Sequence, residues 1–227
     1  MKDNGLGPHN QHVACVLSCV TCRGQALLDP DVLQSLPGWG EYIMLKGHPK
    51  MDAAISKSLE LFYSDFLNAN SWELRKDGVP YYLLDDLSAD ELKVAENELI
   101  KAAGIYDSWP ILGLAHIKST ASLAKLYELL TQGRGEIRIH LAYAIYTICR
   151  DKSMIDIAVD ETQSLAEQMP QSEYKLIDVM KLLPAFDDER MHHILADLCN
   201  ADCYLIAYNA ARALGRPTDD IVTKFLL

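Results

Sequence analysis

The sequence predicts an all-α protein in which short helix pairs stack into an α-solenoid behind a divergent helical N-terminal part. Apolar residues recur at spacings of three and four along almost the whole chain, whereas the alternation typical of β-strands is scarce. Glycine, proline and helix-capping residues interrupt this pattern at intervals of about 10–16 residues. A repeat in the second half of the chain then favours stacking of the pairs.

The N-terminal part, residues 1–107, is predicted to be helical but irregular. Its clearest helix runs from Met51 to Leu67, where apolar residues recur at helical spacing. A capping box at Ser88 and Glu91 begins a helix that ends near residue 103. Between these two helices, the segment 68–87 is the least regular stretch, and the sequence does not decide whether it is a binding loop.

The C-terminal part, residues 108–227, is predicted to contain four helix pairs joined by short loops. Each boundary carries a capping residue, a glycine or a proline, which begin and end helices for known stereochemical reasons. The two parts are expected to form one continuous domain. The predicted pairs are 109–117 with 119–131, 136–149 with 153–169, 172–183 with 188–199, and 202–214 with 218–227.

An internal repeat supports the stacking of these pairs. Residues 141–145 (LAYAI) align with residues 206–210 (IAYNA), an offset of about two helix pairs of 32–33 residues each. Helix 136–149 is also apolar around most of its circumference, so it is expected to be covered on more than one side. An irregular helical bundle would explain the short loops as well, and this alternative stays open.

Two segments of the repeat, EIRIHLAYAIYTICRD and CYLIAYNAARALGRP, resemble degenerate HEAT repeats. The best match is residues 209–215 (NAARALG), and the resemblance covers residues 109–227 with less agreement towards the N-terminus. It implies a protein-binding scaffold whose second helices line the concave side. A weaker resemblance, based on shape, acidity and size, is to small helical-repeat immunity proteins that neutralise bacterial toxins.

The charge balance narrows the class of partner. The chain has 32 acidic and 21 basic residues among 227, a formal net charge of −11. Such a surface repels phosphate backbones, so we expect a basic protein partner and no direct binding of nucleic acid or membrane. We find no apolar run long enough for a membrane span and no secretory signal, and the scattered cysteines are typical of reduced, cytoplasmic thiols.

Motifs for catalysis or metal binding are weak, so no catalytic residue, metal or cofactor is predicted. Glycine-rich phosphate loops, nucleophile elbows and H-E-x-x-H pairs are absent from the sequence. The strongest rival is a zinc- or thiol-dependent enzyme, but four ligands along one straight helix cannot converge on one ion. This rival would use His12, Cys15, Cys19 and Cys22, and a second cluster combines Cys199 and Cys203 with His192 and His193.

Polar stripes on the second helices are the candidate partner-binding site. Their spacings of three and four place the members of each stripe on one helix face, which could equally be an ordinary solvated face. The predicted function is an immunity protein that blocks a basic toxin such as a nuclease, with a general scaffold or adaptor as the alternative. The predicted partner-binding residues are Asp156, Asp160, Gln163, Glu167, Glu189, His193, Asp197, Tyr204 and Tyr208.

Overall fold

A computed structural model describes residues 55–226, and these residues form helices and loops without a β-strand. The described residues belong to one compact unit. The all-α class is therefore confirmed for this part of the chain. The predicted cysteine face around residues 12–22 lies outside the described residues.

The helix boundaries follow the punctuation of the sequence closely. At Ser88 the predicted capping box is complete, because the Ser88 amide donates to Glu91 Oε2 at 2.8 Å and Ser88 Oγ accepts from the Glu91 amide. The twelve α-helices of the described part are α1 (Lys57–Leu61), α2 (Trp72–Arg75), α3 (Tyr82–Asp85), α4 (Ala89–Ala102), α5 (Ser108–His116), α6 (Leu123–Gln132), α7 (Glu136–Cys149), α8 (Ser153–Glu167), α9 (Glu173–Met180), α10 (Glu189–Leu198), α11 (Tyr204–Ala213) and α12 (Asp219–Leu226).

The first helix departs from the regular α-helix that its sequence predicts. Directly after α1, residues Phe62–Leu67 form a π-helical turn. Phe62 and Phe66 are fully buried, and the Phe66 ring lies against α5. A Cβ atom at Gly113 would be only 2.9 Å from Phe66 Cζ. Glycine is needed at position 113 because the ring approaches the helix backbone so closely.

Four helices contact one another in sequence order, each with the next: α5, α7, α9 and α11. Each of α6, α8 and α10 contacts the member of this row that follows it in the chain. Helix α7 is the most enclosed, because α5, α6, α8 and α9 all contact it. Its buried residues, which include Ile139, Leu141 and Ile145, surround most of the helix, as its apolar circumference predicts.

The irregular segment 68–87 packs through its side chains on α5 and on the loop before it. The Arg75 guanidinium forms a bidentate pair with Asp107, with distances of 2.7 and 3.0 Å. The Tyr81 ring stacks on His116 with 4.7 Å between ring centroids, and Asp85 Oδ1 lies 2.6 Å from His116 Nε2. Burial, together with nearby Tyr143 and Asp178, raises the pKa of Tyr81 to about 12. Segment 68–87 is therefore an integral part of the packed unit.

Candidate protein-binding face

Helix α8 is amphipathic, with an apolar stripe inside and a polar stripe outside. Met154, Ala158 and Leu165 are among its buried residues and recur at helical spacing. This burial fixes the rotation of the helix about its own axis, because the apolar stripe must face the core. The four predicted binding residues of α8 consequently all lie on the exposed side: Asp156, Asp160, Gln163 and Glu167.

The start of α8 is tied to α6 by a carboxylate. Asp151 Oδ1 accepts hydrogen bonds from the Ser153 amide at 3.0 Å and the Ser153 hydroxyl at 2.7 Å. Its other oxygen accepts a hydrogen bond of 2.6 Å from the Tyr127 hydroxyl of α6. These hydrogen bonds lower the pKa of Asp151, and the bond from Tyr127 has the largest effect. The N-terminal end of α8, where its polar stripe begins, is therefore held against α6.

Helix α10 has the same division between inside and outside. Met191 and Leu195 are buried, whereas Glu189, His193 and Asp197 are exposed. Asp188 caps the helix, since its side chain accepts a hydrogen bond of 2.9 Å from the Arg190 amide. Helix α10 contacts α8, so the two polar stripes lie on neighbouring helices.

Arg190 links the beginnings of α8 and α10. Its Nη1 donates to Asp156 Oδ1 at 2.8 Å, and its Nε donates to Asp188 Oδ1 at 2.9 Å. The bond from Arg190 lowers the pKa of Asp188, and the two carboxylates raise the pKa of the guanidinium. Asp156 is nevertheless 69% exposed, so this ion pair lies at the surface.

We call the exposed stripes of α8 and α10 the acidic face. Arg190, which borders this face, is the only Lys or Arg within α8 and α10, and α8 contains four carboxylates. Within the described residues, no ion-pair partner lies near the carboxylates of Asp160, Glu167, Glu189 and Asp197. Such a surface attracts cations and accelerates the approach of a basic protein. The acidic face consists of Asp156, Asp160, Gln163, Glu167, Glu189, His193 and Asp197.

The two predicted tyrosine anchors lie on α11 and are half-buried. Their rings pack together at 5.5 Å between centroids, and Tyr204 also packs against Phe225 of α12 at 5.8 Å. The Arg212 guanidinium lies 6.0 Å from the Tyr208 ring. Tyr204 and Tyr208 thus already contribute to packing between α11 and α12, and their role as anchors for a partner stays a prediction.

No cluster of three or more His, Cys, Asp or Glu side chains within residues 55–226 is arranged to hold a metal ion. Cys199 and Cys203 are half-buried free thiols, and Cys203 Sγ donates to Glu173 Oε1 at 3.2 Å. None of the helices described is both long and apolar enough to cross a lipid bilayer.

Two features were missed by sequence reasoning. Arg190 could have been found, because it is the only Lys or Arg in α8 and α10. The second feature is a groove of about 710 Å³ between residues 75–78 and helices α9 and α11. Its cationic side chains come from three segments that are far apart in the sequence, so no local pattern could have assembled them. The basic residues that line it are Arg75, Lys76, Lys181 and Arg212.

The assignment of a function rests on the geometry described above. The chain matches no protein-family model, no curated protein and no solved structure.

Proposed function

We propose that this chain binds a basic protein through the acidic face, without catalysis, and that it acts as an immunity protein for a basic toxin. The observation that carries the proposal is the set of exposed carboxylates on two contacting helices, four of which have no cation beside them in the described part of the chain. A solvated helix face is usually mixed in charge, whereas this one is acidic apart from Arg190.

The proposed architecture is a short HEAT-like solenoid. The ordered contacts between α5, α7, α9 and α11 support it, as does the placement of α6, α8 and α10 against this row. In this arrangement the acidic face belongs to the second helix of two successive pairs. Repeat proteins often bind partners through such a surface, because neighbouring repeats present equivalent positions side by side.

A nuclease toxin fits the charge of the acidic face. An active site that holds nucleic acid is basic, since it must bind phosphates. Carboxylates placed where the phosphates would bind compete directly with substrate, and the opposite charges accelerate association. A stable complex needs about 1,600 Å² of buried surface in total, which is more than the carboxylates supply alone. We therefore expect the interface to extend onto neighbouring side chains.

The test is a charge reversal restricted to the acidic face. Asp160→Lys, Glu167→Lys and Asp197→Lys are combined in one variant, and Asp156 is retained because it pairs with Arg190. The matched control reverses three exposed carboxylates elsewhere, Glu60, Asp86 and Asp202, with the same change in net charge.

Proteins cross-linked to each variant in the source cells are then identified by mass spectrometry. We expect the wild type and the control to retain one basic protein, and the acidic-face variant to lose it, with unchanged helicity by circular dichroism. Equal retention by both variants would contradict the proposal.

Deletion of the gene separates an immunity protein from a general scaffold. Loss of an immunity protein alone should kill the cells, and simultaneous loss of the captured partner should restore growth. Survival of the single deletion, with the partner found in a resident complex, would instead support a scaffold.

A further inference from the structure

The groove between residues 75–78 and helices α9 and α11 has a charge opposite to that of the whole chain. Its lining contains four basic side chains and two acidic ones, Asp77 and Asp178, although the chain carries a net charge of −11. Its volume of about 710 Å³ is within the range of about 300–1,000 Å³ that is usual for small-molecule sites. The groove lies on helices other than those that form the acidic face.

Three of the four cations are available to a ligand. Arg75 is committed, because it pairs with Asp107 and also donates to the Ala69 carbonyl at 2.5 Å. Lys181 is only loosely paired, since its Nζ lies 3.8 Å from Asp178 Oδ1. Within the described residues, Lys76 and Arg212 contact aromatic rings, and neither forms an ion pair.

The Asp178 carboxylate lies against a buried side chain of the protein. The buried His140 side chain of α7 places Nε2 3.2 Å from Asp178 Oδ2, and this contact lowers the pKa of Asp178. Asp77 is the remaining acidic group in the lining, and its charge opposes an anion.

We propose that this groove binds a small soluble anion that carries more than one phosphate group. Lys76, Lys181 and Arg212 come from three separate elements and line one cavity, which suits a ligand with several charged oxygens better than a single carboxylate. The described lining contains no aromatic ring on which a nucleobase could stack, so recognition rests on the phosphates. This proposal concerns a different surface from the acidic face and does not depend on the proposed function.

The test is isothermal titration of the full chain with pyrophosphate and tripolyphosphate in a buffer free of phosphate. Orthophosphate serves as the single-phosphate ligand, and citrate as a polycarboxylate of similar charge. We expect saturable binding of one pyrophosphate or tripolyphosphate per chain, with weaker binding of orthophosphate and citrate. Absence of saturable binding at millimolar ligand, or binding of citrate with equal affinity, would overturn the proposal.

Four variants locate the site. Arg212→Gln and Lys181→Gln should each weaken pyrophosphate binding by about tenfold or more, because each removes a charged hydrogen-bond donor. Asp77→Asn should strengthen binding several-fold, because it removes an opposing charge.

The matched control is Lys175→Gln. Lys175 lies on α9, whose C-cap is Lys181, but it pairs with Glu136 and lies outside this groove. It should leave the affinity unchanged. Binding that survives both Arg212→Gln and Lys181→Gln would contradict the assignment, provided that circular dichroism shows both variants folded. The acidic-face variant should bind pyrophosphate like the wild type, so failure of either proposal leaves the other intact.

Discussion

The acidic face and the cationic groove differ in how their charges are held. On the acidic face the carboxylates project into solvent, and among the residues that the structure describes only Asp156 is paired, by Arg190. In the groove region the charges form linked contacts, as His140 and Lys181 both contact Asp178. Exposed carboxylates lower the stability of the fold little and can be substituted with little loss of stability. A partly buried charge, in contrast, requires partners.

The largest expected difference in stability is between substitution of a histidine beside the groove and substitution of a histidine on the acidic face. His140 is 1% exposed and contacts Asp178, whereas His193 is exposed on the acidic face. His140→Ala should lower the free energy of unfolding by about 2–4 kcal/mol, because it leaves a cavity and removes the partner of Asp178. His193→Ala should change it by less than about 0.5 kcal/mol. Urea unfolding measures both, and equal effects would remove the contrast.

Unfolding at alkaline pH compares a buried tyrosine, Tyr81, with an exposed one. The raised pKa of Tyr81 means that its contribution to stability is complete below pH 10 and is lost as the pH rises towards 12. Between these values the wild type should lose of the order of 1 kcal/mol more than Tyr81→Phe, after allowance for solvent screening.

The control for this titration is Tyr174→Phe, since Tyr174 is 79% exposed and projects into solvent. It should behave like the wild type in urea unfolding at each pH. The tyrosinate absorbance of Tyr81→Phe should lack one component that ionises at raised pH, and Tyr174→Phe should retain that component. A Tyr81→Phe protein with the same pH dependence as the wild type would show that the hydroxyl is not buried in solution.

Removal of Arg190 should have the smallest effect on stability. Arg190→Ala leaves Asp156 and Asp188 without their cation, so the urea midpoint should fall slightly. The acidic face would become more negative, and association with the basic partner should accelerate several-fold at low salt, with the difference fading as salt is added. Stopped-flow or surface-binding kinetics measures this. Slower association would indicate that Arg190 itself contacts the partner.

The fold was predictable where the signal was local. Ser88 with Glu91 marked the start of α4, and the apolar circumference of helix 136–149 indicated its central place. The π-helical turn at Phe62–Leu67 was not predictable, because Phe66 is drawn against Gly113, almost fifty residues later in the chain. Tertiary packing overrode the regular helix that the spacing alone indicates.

For the candidate site too, local features were predictable from the sequence and features set by tertiary packing were not. The exposure of Asp160 and Asp197 followed from helical spacing, since a stripe opposite the buried residues must face outward. The pairing of Asp156 with Arg190 did not follow, because it depends on how α8 meets α10.

The sequence by itself determined the helical class, most helix boundaries, the net negative charge and the polar stripes of α8 and α10. These properties depend on neighbours within about four residues, where helix geometry fixes which side chains share a face. Only the tertiary structure decided that Lys76, Lys181 and Arg212 line one groove, or that His140 contacts Asp178. Such juxtapositions depend on the packing of helices far apart in the chain, and no local pattern encodes that packing.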